Sequence, residues 1–269
     1  MKTTYMLVTP QIAEEWLTHN TDNRNVRAKR VEQYARDMSN GRWEKDSPNP
    51  IVFGENGLLK DGQHRLMALI KANVSLNFLV CWVSDEVRNF DTGATRSVAD
   101  YIKMKSGSNL SSTLIAAINL KLTMRFAKSP TRAEIEDEYY KDAATWDKAF
   151  GICGLGSKTK LGKRSSMVLA IKNALNCGVS EATLTRFCNV VNSGFSNGTH
   201  ENSAILARNA LLDMAGRMNS RKVQWELCGL LEEYIHLFEN ASTRVRKLQK
   251  PTWYYSSQLK EKEKWGTLI

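Results

Sequence analysis

The chain has 269 residues, 42% of them hydrophobic and 25% charged, with a formal net charge of +10 at pH 7. This length and composition are ordinary for a soluble globular protein of one or two domains, and no apolar run reaches the ~18 residues that a membrane-spanning helix needs. Five cysteines without paired short spacing argue against a secreted disulfide framework and against a C-x-x-C zinc site.

The charge is unevenly distributed along the chain. Residues 1–106 hold 15 Lys and Arg against 13 Asp and Glu, whereas residues 107–269 hold 23 against 15. A polyanion is therefore expected to bind the C-terminal part. The opening residues 1–5 lack the apolar core of a signal peptide, so we expect the protein to stay in the cytoplasm.

The first elements are predicted to be two helices. Thr9 and Pro10 match a capping residue followed by proline at the first helical position. A second helix places apolar residues on one face and ends at Gly41. Most of its cations lie off that face and are expected to be solvated; they are Arg24, Arg27, Lys29, Arg30 and Arg36.

A β-hairpin is predicted next, feeding the first turn of a third helix. The apolar run 51–53, the turn 55–57 and the segment 58–60 lead into Asp61-Gly62-Gln63-His64-Arg65. A helix N-terminus preceded by glycine and followed by His and Arg favours a phosphate site. The alternative is a tight turn in which Asp61 caps the helix while His64 and Arg65 are solvated.

Residues 76–83 form a strongly apolar run of strand length, and the polar loop 91–96 follows a short helix. Ser97 to Asp100 match a capping box, which places Arg96 just ahead of another helix N-terminus. Asp91 is either a turn-forming aspartate or a functional carboxylate, and its own sequence context does not decide between the two.

The segment from Gly62 to Arg65 resembles the nucleotide-binding motif of the ParB/sulfiredoxin superfamily, which reads Gly-Glu-Arg-Arg or Gly-Cys-His-Arg. The Asp-Gly-Gln-His-Arg form is similar to that of ParB-like nuclease-domain proteins of phages and plasmids, and residues 91–96 lie where ParB proteins carry Glu-Asn-x-x-Arg. The resemblance covers roughly the first hundred residues. It implies a small mixed sheet with flanking helices that binds a nucleoside triphosphate, ATP or CTP, with Mg²⁺.

The resemblance also implies roles for individual residues. His64 and Arg65 would hold phosphate oxygens, Gly62 would open the backbone to them, and one or two cations at the start of the second helix would reach the nucleotide. Further nucleotide contacts are expected from Gln63, Thr92 and Arg96. Asp61 and Asp91 would bind Mg²⁺ or take a proton, and we expect catalytic roles for Asp61, His64 and Asp91.

Gln63 departs from the family pattern in one informative way. Sulfiredoxins carry a cysteine at this position, and an amide cannot replace a thiol as a nucleophile, so sulfiredoxin chemistry is excluded. ParB proteins carry an acidic residue there, which makes a CTP-gated clamp less favoured.

The polar stretch 105–109 is the predicted boundary between a domain of residues 1–106 and a basic helical domain of residues 107–269. About six helices are expected in the latter, over 112–127, 131–150, 165–177, 180–191, 204–218 and 223–238. The fold class is therefore predicted to be α+β, with an N-terminal mixed sheet followed by an all-α domain.

Two basic segments of the C-terminal domain are candidates for nucleic-acid binding. The segment 154–165 lacks the spacing of a Walker A loop and is predicted to be a basic loop; it is either solvated or contacts phosphates through Lys158, Lys160, Lys163 and Arg164. The tail 244–255 mixes cations with aromatic residues, which suits either single-stranded nucleic acid or docking on its own domain. We favour docking.

The sequence thus predicts a phosphoryl-transfer protein that acts with or on DNA as an NTPase, a kinase or a nuclease, in a phage or mobile-element setting. In a phage setting, its location would be the host cytoplasm. The alternative is a non-catalytic DNA-binding regulator or adaptor that nucleotide switches. DNA is the expected partner, a homodimer is a further expectation, and no membrane association is expected.

Overall fold

A computed structural model describes the chain apart from residues 22, 24, 45–46, 87–97, 107–109, 127–128, 155–160, 162–163, 216–219 and 260–269. The chain forms two compact units, Met1–Thr95 and Arg96–Ile269. The first holds a small sheet with helices and the second is built from helices, which confirms the predicted α+β class.

The sheet of the first unit has four strands: β1 (Lys2–Val8), β2 (Ile51–Gly54), β3 (Leu59–Asp61) and β4 (Leu76–Val83). Their order is β1-β4-β2-β3. The pair β2 and β4 is parallel, and the other two neighbouring pairs are antiparallel, so the sheet is mixed as expected. Strand β2 is buried along its whole length because it lies inside the sheet.

Three helices pack with this sheet: α1 (Pro10–Thr18), α2 (Ala28–Ser39) and α3 (Gln63–Ala72). The Thr9 hydroxyl accepts a hydrogen bond from the Ile12 N–H at 3.3 Å, so α1 begins where the sequence predicts. The core of the unit joins apolar residues of β2 and β4, among them Ile51, Phe53 and Val80, with the buried faces of the helices. Helix α3 follows β3 after a single residue, which fixes the position of its N-terminus.

The second unit contains eight helices in its described part. They are α4 (Val98–Ser106), α5 (Ser112–Phe126), α6 (Arg132–Lys141), α7 (Ala143–Gly154), α8 (Ser165–Asn176), α9 (Glu181–Ser193), α10 (Asn202–Asp213) and α11 (Arg221–Glu239), with a 3₁₀ turn at Thr199–Glu201. Helix α8 is central, since every residue from Ser166 to Ala174 is buried. The division between the units lies ahead of α4 rather than after it, because Ile102 joins the second core.

The helix predicted over 131–150 is two helices in the structure. It begins at Thr131 with the expected capping box, in which Glu134 and Thr131 exchange side chain to backbone hydrogen bonds. It breaks at Asp142, whose φ and ψ of −154° and 47° are not helical. Asp142 forms an ion pair at 3.0 Å with Lys172, which is only 2% exposed. A buried ammonium group needs such a partner, and this requirement was not visible in the sequence.

Within the described residues, no helix combines the length and the apolar character that crossing a bilayer requires.

Candidate functional site

The segment from Asp61 to Arg65 lies where β3 ends and α3 begins. Gly62, the residue between them, has a φ of +117°, which residues with a side chain rarely adopt. A Cβ atom at this position would lie 2.6 Å from Cδ1 of the fully buried Ile51. The glycine is therefore needed for the turn and for its close packing against β2, apart from any approach of a ligand.

Arg65 holds two loops together. Its guanidinium donates hydrogen bonds to the Pro50 carbonyl at 2.9 Å and to Asp61 Oδ2 at 2.8 Å, and to the Asn49 carbonyl as well. The side chain is 11% exposed, whereas that of Asp61 is 39% exposed. Arg65 therefore clamps the chain ahead of β2 to the end of β3, which is a structural role that the expectation of a phosphate ligand did not include.

Gln63 and His64 are buried, with exposures of 4% and 6%. Gln63 Oε1 accepts a hydrogen bond from Asn20 Nδ2 at 3.1 Å, and His64 Nε2 accepts one from the Arg27 backbone N–H at 2.9 Å. Both side chains thus bind the segment between α1 and α2. The alternative in which His64 and Arg65 are solvated is therefore wrong.

Two helix N-termini meet at His64. It lies in the first turn of α3, and the Arg27 N–H that it binds belongs to the N-cap residue of α2. Neither N-cap residue, Gly62 or Arg27, supplies a side-chain cap. The positive ends of two helix dipoles therefore lie within the reach of one imidazole ring. Arg27 is exposed, and its guanidinium has no ion-pair partner among the described residues.

Two residues of this joint were missed in the sequence, Asn20 and Asn23. Asn23 Nδ2 donates to Asn20 Oδ1 and to the Leu59 carbonyl, both at 2.6 Å, and so connects the α1–α2 segment with β3. The signal was the asparagine-rich stretch 20–25, which in a sequence is typical of a turn. The partners that matter, the Leu59 carbonyl for Asn23 and Gln63 for Asn20, lie 36 and 43 residues away along the chain.

Most of the remaining predicted site residues cannot be compared with this joint, because the structure does not describe them. Asp91, Thr92 and Arg96 lie outside the described residues, as do Lys158, Lys160 and Lys163. Arg164 is the half-buried N-cap residue of α8. No group of three or more His, Cys, Asp or Glu side chains suited to a metal ion occurs in the part of the chain that is described.

Comparisons with protein-family models, with curated proteins and with solved structures found no match to this chain.

The clamp made by Arg65 leads to a first prediction. Arg65→Ala should lower the free energy of unfolding by about 1.5–3 kcal/mol, because two carbonyls and a carboxylate lose a charged donor. Lys71→Ala is the control on the same helix, since Lys71 forms an exposed ion pair with Glu32 worth about 0–1 kcal/mol. Urea unfolding of both variants measures the difference. Equal stabilities would contradict the clamp.

Proposed function

We propose that the chain is a nucleotide-binding protein whose first unit holds the phosphates of a nucleoside triphosphate where α2 and α3 begin. The observation that carries this proposal is the meeting of two helix N-termini at His64. Backbone dipoles of this orientation favour an anion, and a triphosphate is an anion large enough to interact with both. The resemblance to the ParB/sulfiredoxin motif in the same residues supports the same ligand.

The structure changes the expected roles of the side chains in this proposal. Arg27 takes the role of the charged phosphate ligand, because its guanidinium is exposed at the N-terminus of α2 without an ion-pair partner in the described residues. Lys29, also exposed, follows in the first turn. His64 and Arg65 then act as positioning residues, since their polar atoms hold the joint in shape.

The reaction class that this ligand favours is phosphoryl transfer, as an NTPase, a kinase or a nuclease. Asp61 is the carboxylate of the described joint that could bind Mg²⁺, since that ion at a nucleotide uses one or two protein carboxylates together with phosphate oxygens. Mg²⁺ would supply charge neutralisation on the phosphates. Asp61 is accessible to such an ion at 39% exposure, although its Oδ2 already accepts from Arg65.

That ion pair is also the observation that favours the second candidate, a non-catalytic switch. Asp61 Oδ2 is occupied by the Arg65 guanidinium at 2.8 Å, so in this arrangement that oxygen does not take a proton from a nucleophile. In this case the protein would be a regulator or adaptor, and the nucleotide would be a ligand that switches its conformation and not a substrate. In both candidates DNA is the proposed partner, and the basic loop with Lys158, Lys160, Lys163 and Arg164 is the proposed contact.

Melting curves with ATP, CTP, GTP or inorganic triphosphate, each with Mg²⁺, test the shared step of both candidates. A ligand at a hundred times its Kd should stabilise the protein by about 2.7 kcal/mol. Arg27→Ala should weaken binding by about 10- to 100-fold, since a hydrogen bond to a charged group contributes about 1.5–3 kcal/mol. Arg36→Ala, in the last turn of the same helix, is the control and should bind as the wild type does.

The outcomes separate the hypotheses. If neither a nucleotide nor triphosphate raises the melting temperature at millimolar concentration, the phosphate site is wrong. If binding occurs, product analysis with and without DNA decides the reaction. Released phosphate, a phosphorylated acceptor or cleaved DNA supports phosphoryl transfer, and the absence of all three supports the switch.

A further inference from the structure

The C-terminal segment 244–259, which we call the strap, lies along α11 instead of extending into solvent. The Leu248 N–H donates to the Tyr234 hydroxyl at 3.0 Å, and the Tyr255 hydroxyl donates to Glu239 at 3.0 Å. Tyr255 is 2% exposed and belongs to the core of the second unit. Tyr254 stacks on the ring of His236 with 3.7 Å between centroids. The aromatic residues of the strap are therefore used in docking.

Two features of α11 fit the strap closely. A Cβ atom on Gly229 would lie 2.6 Å from Cβ of Pro251 and 2.9 Å from the Trp253 ring, so the glycine makes room for the strap. Glu232, fully buried, accepts hydrogen bonds from the N–H of Ser256 at 2.9 Å and from its hydroxyl at 2.5 Å. Burying a carboxylate costs free energy, and here the hydrogen bonds of that carboxylate to Ser256 hold the strap in its position on α11.

The outer side of the strap is basic. Val245 and Leu248 pack against the core, while Arg244, Arg246 and Lys250 are exposed. None of these three cations forms an ion pair with the described residues. The fourth cation of the strap, Lys247, is paired with Asp213 at 2.9 Å, as Lys148 is with Glu181 at 3.1 Å elsewhere in the unit. The strap thus holds three uncompensated charges on a backbone that is fixed in place.

We propose that the outer side of the docked strap binds the phosphate backbone of nucleic acid through Arg244, Arg246 and Lys250. Because the aromatic residues of the strap are bound to α11, recognition depends on charge and not on base stacking. Duplex and single-stranded DNA are then bound by the same residues, without preference for sequence. The inference rests on the part of the proposed function that gives the chain a DNA partner, and not on nucleotide binding.

Titration of a 20-base-pair duplex and a 20-nucleotide single strand over a series of salt concentrations tests the proposal. The triple variant Arg244→Ala, Arg246→Ala and Lys250→Ala should bind both about 10- to 100-fold more weakly at low salt. The slope of log K against log salt should become shallower by about 2–3, at roughly 0.9 per lost phosphate contact on duplex. Its melting temperature should be that of the wild type, since the three side chains are exposed and unpaired with described residues.

The control is a triple variant of cations that are already paired on the same unit: Arg132→Ala, Lys148→Ala and Lys222→Ala. It should retain the affinity and the salt slope of the wild type. If the wild type binds DNA and the strap variant binds it equally well, the strap is not the DNA contact, although DNA remains the proposed partner. Failure of the wild type to bind either probe overturns both. If Tyr254→Ala weakens single-strand binding and the triple variant does not, base stacking replaces the charge mechanism.

Discussion

Gly62→Ala is expected to lower the free energy of unfolding of the first unit by about 2–6 kcal/mol. Two costs add. A side chain at a φ of +117° strains the backbone by about 1–3 kcal/mol. The new methyl group would also begin 2.6 Å from Cδ1 of Ile51, which is fully buried and can move only by disturbing the core, at about 1–3 kcal/mol.

Gly57→Ala is the matched control for this prediction. Gly57 also has a positive φ, +79°, but no atom lies within 4 Å of the position that its Cβ would occupy. It should cost only about 1–2 kcal/mol, from the left-handed backbone conformation alone. Urea unfolding followed by tryptophan fluorescence measures both variants. A Gly62 variant no less stable than the Gly57 variant would show that Ile51 can give way and that the joint is loosely packed.

Glu232→Ala is expected to lower the free energy of unfolding of the second unit by about 3–5 kcal/mol. The substitution leaves the buried amide of Asn173 and the half-buried N–H and hydroxyl of Ser256 without this acceptor. It also removes the group that fixes the strap. Glu233→Ala is the control one residue away, because Glu233 accepts a single exposed hydrogen bond from Thr252 and should cost about 0.5–1.5 kcal/mol.

Two measurements check this prediction. Chemical denaturation gives the difference in stability between the two variants, and limited proteolysis shows whether the strap is released. In the Glu232 variant, cleavage within residues 244–259 should precede cleavage of the helices. If the two variants unfold at the same denaturant concentration and the strap stays protected, Glu232 does not hold it.

The same carboxyl group predicts a dependence on pH. Burial raises the pKa of Glu232 above its ordinary value of 4.5, and the hydrogen bonds from Ser256 and Asn173 oppose the rise. A raised pKa in the folded state contributes stability that is fully present below pH 4.5 and is lost as pH rises through the folded pKa. As pH rises from 4.5 through the folded-state pKa, the free energy of unfolding of the wild type should therefore fall relative to that of Glu232→Gln. A constant difference between them would contradict the raised pKa.

The sequence was informative where a structure depends on neighbouring residues. Thr9 with Pro10 and Thr131 with Glu134 mark the starts of α1 and α6, because a helix cap is satisfied within three residues. The strand at 76–83 followed from its apolar run, and the joint between β3 and α3 followed from Gly62 with the helical spacing after it. The mixed sheet was expected from family resemblance rather than from any local pattern.

The partners of the joint could not be predicted, because they lie far apart in the sequence. Gln63 binds Asn20, and His64 binds the backbone of Arg27, across 43 and 37 residues. Arg65 in the sequence is a cation beside a helix start, which suits a phosphate ligand as well as a clamp. The folded structure places the Asn49 and Pro50 carbonyls beside its guanidinium, which therefore donates hydrogen bonds within the protein.

By itself, the sequence determined the α+β class, most helix starts and the position of the glycine joint, since backbone conformation and capping are local properties. The tertiary structure decided the break at Asp142, the structural use of Arg65 and the docking of the strap through Glu232. Each of these depends on burial. A charged side chain removed from water must find a partner, and which partner it finds is set by the packing of distant elements.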